Sequence, residues 1–168
     1  MKKKTLAAAM LLLLLTKIEG ADDPWKPFQF MIGDWVGTGS GKPGQGGGEF
    51  SLRPDLANKI LVRHNHSEYP ARPGQSQGVV HDDLMIIYSP QGSGAFRAEY
   101  FDSEGHVIHY VISFSEDKAV FLSDASTSSP RFRLTYQKKS ENELGIDFAM
   151  APPNQDFHPY LSGTVTRK

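Results

Sequence analysis

Three glycines that follow a Gly-Asp-Trp sequence constrain the fold of this chain more than any other feature. Residues 28–32 form a short apolar run that leads into Gly33-Asp34-Trp35, and glycines follow at positions 37, 39 and 41. A spacing of two is the period of a β-strand, so these glycines are predicted to share one face of a strand. A strand face without side chains bends sharply or allows close approach of another group. The segment therefore predicts the first strand of a small barrel, with Trp35 at one end of a partly empty interior.

The first 20 residues have the composition of a secretory signal peptide. Three lysines at positions 2–4 precede an unbroken apolar run over residues 6–15, and small residues at 20 and 21 offer a cleavage site. The apolar run is shorter than the roughly 20 residues that a membrane span needs. We therefore expect residues 1–20 to be a signal peptide, residues 21–168 to be one β-barrel domain, and the protein to be secreted or periplasmic, with no membrane contact after cleavage.

Charge and cysteine content exclude several classes of protein. Four of the 18 basic residues and one of the 19 acidic residues lie in the signal, which leaves 14 basic and 18 acidic residues (18 less 4, and 19 less 1). This acidic balance argues against a nucleic-acid partner, because phosphate binding needs a basic surface. The chain has no cysteine, so disulfides, thiolate catalysis and cysteine metal sites are excluded.

After the signal, the pattern is that of short strands separated by turns. Only residues 23–32 are predicted to contain a helical turn. Apolar residues alternate with polar or small ones over residues 132–136 and 144–150, which is the period of a half-buried strand. Residues 102–105 read as a hairpin turn that ends in glycine. Nine or ten consecutive strands with short links predict an all-β fold, either a sandwich or a closed barrel. The glycine-rich opening strand favours an antiparallel up-and-down barrel.

Three histidines are candidates for metal binding. His64 and His66 are two residues apart on a predicted strand and share a face, and His81 precedes Asp82 and Asp83. Such a set predicts a metal-dependent enzyme as one alternative. A third ligand at convincing spacing is missing, so polar barrel positions that are hydrogen-bonded or solvated are the simpler explanation. Arg63 alternates with the histidines, so we expect either that it pairs with a carboxylate such as Glu99 or Asp83, or that this strand lines a polar cavity.

Catalytic motifs are missing from the sequence. There is no Gly-x-Ser-x-Gly nucleophile motif, and the adjacent acidic pairs lie in predicted turns, where carboxylates are usually solvated. An enzyme is therefore not the favoured reading.

The C-terminal segment is the second informative stretch. His158 and Tyr160 flank Pro159 and are predicted to point the same way in an extended chain. At a barrel mouth such a pair contacts a ligand or ferric iron, or Tyr160 simply plugs the barrel.

These two ends of the chain together resemble nitrobindins, a family of small antiparallel barrels of about ten strands. Nitrobindins are related in shape to lipocalins, so the resemblance implies a lipocalin-like barrel. Gly33-Asp34-Trp35-Val36-Gly37-Thr38-Gly39-Ser40-Gly41 is similar to their Gly-Thr-Trp-x-Gly-x-Gly-x-Gly opening. Ala149-Met150, the loop that follows and Pro159-Tyr160-Leu161 resemble their Glu-Met, Thr-rich loop and Pro-His-Leu. The chain looks more closely like uncharacterised exported bacterial barrels that carry the His-Asp-Asp-Leu-Met sequence of residues 81–85. The resemblance implies haem as a possible cofactor, with Tyr160 in the position of the haem-ligating histidine and His158 as a second candidate.

The leading expectation is an exported barrel that binds a small apolar or amphipathic ligand in its interior. The alternatives are haem binding, a metal-dependent enzyme and a filled barrel that acts as an interaction module. The residues expected at the ligand site are Trp35, His64, His66, Tyr100, Tyr110, Phe148, Met150, His158 and Tyr160.

Overall fold

A computed structural model describes residues 23–39, 46–91, 93–125 and 128–168. The predicted signal peptide and its cleavage site therefore lie outside the described residues. Among the residues described, no helix has the length and hydropathy required to cross a bilayer.

The described chain forms one 3-10 turn and ten antiparallel strands that close into a barrel. Each strand pairs with the strand before it, and β1 pairs with β10 to close the sheet. The predicted all-β, up-and-down barrel with a short N-terminal helical turn is thus confirmed. The elements are the turn Lys26–Phe28 and β1 Gly33–Gly37, β2 Gly47–Asp55, β3 Ile60–Tyr69, β4 Val79–Tyr88, β5 Phe96–Asp102, β6 Val107–Ser115, β7 Lys118–Ser123, β8 Arg131–Ser140, β9 Glu143–Ala151 and β10 His158–Arg167.

The opening strand differs from the one that the glycine spacing predicts. Strand β1 ends at Gly37, and Gly39 follows it as irregular chain, whereas Gly41 lies outside the described residues. The close approach expected of a glycine occurs one strand later. A Cβ atom on Gly48, which pairs with Gly37, would lie 2.2 Å from the backbone oxygen of His66. Glycine is required there because the backbones of β2 and β3 leave no room for a side chain.

Strand register decides which residues face the barrel interior. Phe50 pairs with Asn65, and Leu52 pairs with Arg63, so Arg63 and Asn65 share the face of two core residues. The predicted alternation of β8 and β9 is confirmed: Leu134 pairs with Phe148, and both pack with the core.

One end of the barrel is closed by the N-terminal segment 23–32, and we call it the plug end. Phe28 contacts the rings of Phe96 and Phe114 edge to face, at centroid distances of 5.0 and 4.8 Å. Trp35 is fully buried, and its indole N–H donates to the Met31 carbonyl at 2.8 Å. The Arg167 guanidinium lies 4.3 Å from the Trp35 ring and donates to the Ile32 carbonyl. This end is a packed aromatic layer with its polar groups satisfied.

The opposite end, which we call the loop end, carries most of the longer connections and the short turn between β5 and β6. They span residues 38–46, 70–78, 103–106, 124–130 and 152–157, of which 40–45, 126 and 127 lie outside the described part of the chain. Loops held by a rigid sheet commonly carry binding residues, so the interior residues at this end are the candidates for function.

Candidate functional site at the loop end of the barrel

A buried ion pair lies inside the barrel, between β3 and β4. Arg63 Nη1 is 2.6 Å from Asp83 Oδ1, and their side chains are only 8% and 3% exposed. The Arg63 guanidinium also lies 5.3 Å from the centre of the Phe50 ring and 6.0 Å from that of Tyr136. The alternative that pairs Arg63 with Asp83 is therefore the one that the structure adopts. Within the described residues, Arg63 Nε and the Tyr136 hydroxyl are buried without a hydrogen-bond partner.

His81 extends this ion pair toward the loop end. Its Nε2 lies 3.4 Å from Asp83 Oδ2 and 3.1 Å from the Tyr100 hydroxyl, and its Nδ1 lies 2.8 Å from Glu104 Oε2. Hydrogen bonding to Asp83 raises the pKa of His81 against the opposing effect of burial, and Glu104 raises it further. His81 therefore lies between the buried carboxylate of Asp83 and the exposed carboxylate of Glu104.

Three tyrosines stand around the ion pair on the inner face of the sheet. Burial raises the pKa of Tyr136 to about 12 and also raises the pKa values of Tyr100 and Tyr110. The rings of Tyr100 and Tyr110 meet edge to face at 6.4 Å. These phenols stay neutral near pH 7, so each can donate one hydrogen bond and accept others.

Aromatic rings form the other side of the loop end, on β8, β9 and β10. Phe132 and Phe148 stack at 5.9 Å, and Tyr160 meets Phe148 edge to face at the same distance. The pairing of β10 with β9 shifts register between Pro159 and Leu161, which places Tyr160 at a β-bulge. Bulges re-aim side chains and are common beside functional sites. Tyr160 keeps 72% of its surface exposed, so this aromatic cluster is open to solvent.

Tyr69, at the end of β3, lies between the aromatic cluster and the acidic residues. Burial raises the pKa of Tyr69 and a hydrogen bond with Ser67 opposes this, while Tyr160, Asp83 and Glu104 are all near enough to raise it further. The polar residues of β3 to β5 and the rings of β8 to β10 thus border one region at the loop end.

Of the predicted site residues, Phe148 and Tyr160 are in contact at the loop end, whereas Tyr100 contacts His81 and Tyr110. Met150 is half-buried and pairs with Phe132. Tyr110 is buried in the core next to Tyr100, whereas Trp35 belongs to the plug end.

His64 and His66 face the outside of the barrel, contrary to their expected place as polar anchors of an interior ligand. They pair with Ser51 and Glu49 of β2, one residue out of step with the inward-facing Arg63 and Asn65. Both line an outer groove of about 690 Å³ over β1 to β5, together with Leu84 and charged residues. His66 Nδ1 lies 2.7 Å from Asp82 Oδ1, and His66 Nε2 lies 3.2 Å from Glu68 Oε1. Because His81 faces inward, the three histidines do not form one ligand set.

The surroundings of Tyr160 and His158 do not match a tyrosine-ligated haem site. Such a ligand needs a positive charge or hydrogen-bond donors to stabilise its phenolate. Among the residues that the structure describes, Tyr160 contacts the ring of Phe148 and lies near the Tyr69 phenol, and no hydrogen bond or ion pair reaches its side chain. His158 is exposed at the start of β10, opposite Met150.

Three residues around the ion pair and His81 are not predicted as site residues from the sequence. Tyr136 is predicted only to lie on an apolar strand face, and Asp102 and Glu104 only to belong to a hairpin turn. For the two carboxylates, the sequence signal is the concentration of His81, Asp82, Asp83, Asp102 and Glu104 around two adjacent predicted strands. Adjacent antiparallel strands bring such residues to one end of a sheet.

No protein-family model matches the chain, and a search of curated proteins finds no significantly similar sequence.

Proposed function

We propose that this protein binds a small apolar or amphipathic molecule at the loop end of its barrel. The observation that carries this proposal is the juxtaposition of an open aromatic cluster with a buried polar cluster. The aromatic cluster is formed by Phe132, Phe148 and Tyr160, and the polar cluster by Arg63, Asp83, His81 and Tyr100. Ligand sites combine apolar walls with a few placed polar groups in this way.

Burying this polar cluster costs free energy of folding, which is not expected of residues that serve stability alone. Removing an arginine and an aspartate from water costs several kcal/mol per ion, and apolar replacements of similar volume are often neutral or stabilising. The unpartnered Arg63 Nε and Tyr136 hydroxyl add to this cost. Functional sites are where folded proteins commonly tolerate such costs.

The two clusters suggest how a ligand is oriented. Its apolar part would lie against Phe148 and Tyr160, while a polar group would face His81 and Tyr100, which are half-buried. The core below is filled by residues such as Phe121 and Leu144, both fully buried. We therefore place the ligand near the loops and not along the whole barrel axis.

Export and family membership are part of the same proposal. The signal-like residues 1–20 support a secreted or periplasmic location. The two ends of the sequence support a nitrobindin-like or lipocalin-like barrel, and a closed barrel of ten strands is compatible with either. Cleavage after residue 20 or 21 would be read directly from the mass of the protein recovered from the producing cell.

Binding is tested with the amphipathic fluorophore anilinonaphthalene sulfonate, together with native mass spectrometry for a retained ligand. We expect Tyr160→Ala to weaken binding about fivefold, because an aromatic contact contributes about 1 kcal/mol. Phe148→Ala should weaken binding further, since Phe148 contacts both other rings. The matched control is Phe101→Ala, which removes an exposed ring that pairs with outward-facing Leu84. Equal weakening by Phe101→Ala, or no bound probe and no retained ligand, would reject the proposal.

Hemin titration separates the haem alternative from the general one. A Soret band that both Tyr160→Phe and His158→Ala diminish would make haem the ligand. We expect neither variant to change the hemin spectrum, because no hydrogen bond or ion pair from the described residues reaches the Tyr160 side chain, and because His158 is exposed.

A further inference from the structure

A second cluster at the loop end shares His81 with the proposed ligand site and adds two carboxylates that the ligand proposal does not use, Asp102 and Glu104. His81 lies on β4, Asp102 ends β5, and Glu104 lies in the turn between β5 and β6. One nitrogen of His81 and one oxygen of each carboxylate all lie within 4.8 Å of one another. Both carboxylates therefore face the same imidazole from the hairpin that follows the neighbouring strand.

The hairpin holds these carboxylates in place before any ligand arrives. Asp102 Oδ1 accepts hydrogen bonds from the backbone N–H groups of Glu104 and His106. The turn is also tied to β4, because the Ser103 N–H donates to the Asp82 carbonyl at 2.9 Å. Gly105, with a φ of +88°, supplies the left-handed residue that the turn requires.

We propose that His81, Asp102 and Glu104 bind a divalent transition-metal ion such as Zn²⁺. Imidazole nitrogen and carboxylate oxygen are common ligands of such ions, and three protein ligands leave a further position open. The ion would replace the hydrogen bond that now joins His81 Nδ1 to Glu104 Oε2.

The residues behind the ligands are those that a metal site requires. A metal-bound histidine generally directs its other ring nitrogen to a carboxylate or another acceptor, which fixes the orientation of the ring. Here the other nitrogen of His81 faces Asp83 and the Tyr100 hydroxyl, and Asp83 is itself held by Arg63. Asp102 Oδ2 is likewise held by His106 Nδ1 at 2.9 Å. Both His81 and Asp102 are thus held in position by a second contact behind the proposed metal-binding atom, which an ordinary surface ion pair lacks.

The outer face of the barrel supplies a matched control. His66 also contacts two carboxylates, Asp82 and Glu68, but through opposite ring nitrogens. An ion bound to one ring nitrogen of His66 would be reached only by the carboxylate on that side of the ring. His66, Asp82 and Glu68 therefore cannot all bind the same ion. The two histidines therefore have similar neighbours and different predicted affinities for a metal.

The test is calorimetric titration of untagged, chelator-treated full-length protein with ZnCl₂. We expect one ion per chain, at least tenfold weaker binding in His81→Gln and Glu104→Gln, and unchanged binding in His66→Gln. Glu104 is well exposed, so its variant tests the site even if His81→Gln impairs folding. Zn²⁺ should also raise the unfolding temperature of the wild-type chain and not that of Glu104→Gln.

Two results would overturn the metal proposal. One is the absence of stoichiometric Zn²⁺ binding to the folded wild-type chain. The other is a loss in His66→Gln equal to that in His81→Gln. Neither result bears on the organic ligand, whose binding is measured separately with metal-free protein.

Discussion

The two ends of the barrel are closed by different chemistry. At the plug end, Phe28 and Trp35 are fully buried. The Arg167 guanidinium lies over the Trp35 ring and donates a hydrogen bond to the Ile32 carbonyl. At the loop end, an arginine and an aspartate are buried inside the sheet, while Tyr160 is largely exposed. The comparison teaches that stability is concentrated at one end of this fold, and costly polar groups at the other.

The largest expected effect is at the plug end. Trp35→Ala should lower the free energy of unfolding by about 3–5 kcal/mol, because it removes a fully buried ring that stacks on Phe50 at 6.2 Å. Denaturant titration followed by circular dichroism measures the change. Tyr160→Ala is the loop-end counterpart and should change stability by less than about 0.5 kcal/mol. Similar losses in the two variants would remove the distinction between the ends.

The buried ion pair provides the sharpest test of the loop end. Asp83→Ala should destabilise the fold by about 3–5 kcal/mol, because it leaves the Arg63 charge buried without its carboxylate. The double variant Arg63→Met with Asp83→Leu should recover most of this stability and lose binding of the fluorescent probe. Unfolding titrations and probe titrations on the same samples measure both effects. A double variant as unstable as Asp83→Ala would show that the pair serves the fold itself.

An intermediate effect is expected where the backbones of β2 and β3 approach. Gly48→Ala should cost about 1–3 kcal/mol, because its Cβ atom would lie 2.2 Å from the His66 oxygen. Gly163→Ala is the matched control, since a Cβ atom there meets nothing within 4 Å. Thermal unfolding of both variants gives the comparison. Equal losses would mean that the cost arises from glycine conformational freedom and not from the close approach of the strands.

The smallest effect concerns the outer face. Hydrogen bonds to Asp82 and Glu68 raise the pKa of His66, so the folded state binds its proton more tightly than the unfolded state does. The stabilisation is fully present below the unfolded pKa of about 6.5 and is lost as pH rises through the raised folded value. Wild type and His66→Gln should therefore differ most in unfolding midpoint in mildly acidic buffer, and less at higher pH. A difference independent of pH would contradict this assignment.

Much of the fold was predictable because strand alternation is a local property. The period of two in Phe132, Leu134 and Tyr136 identifies the inner face of β8, and this face is confirmed in the barrel. The extent of β1 was predicted wrongly, because a glycine carries no side chain that would show whether the chain continues as a strand.

The sequence by itself determined the fold class, the placement of most strands and the concentration of histidines and carboxylates near residues 81–106. Only the tertiary structure decided which face of β3 points inward, since Arg63 and His64 are both polar and alternation cannot rank them. It also decided that His81 meets Asp102 and Glu104, and that the bulge in β10 turns Tyr160 onto Phe148. The physical reason is that alternation follows from backbone geometry within one strand, whereas inward direction and convergence follow from the register of ten strands that must close together.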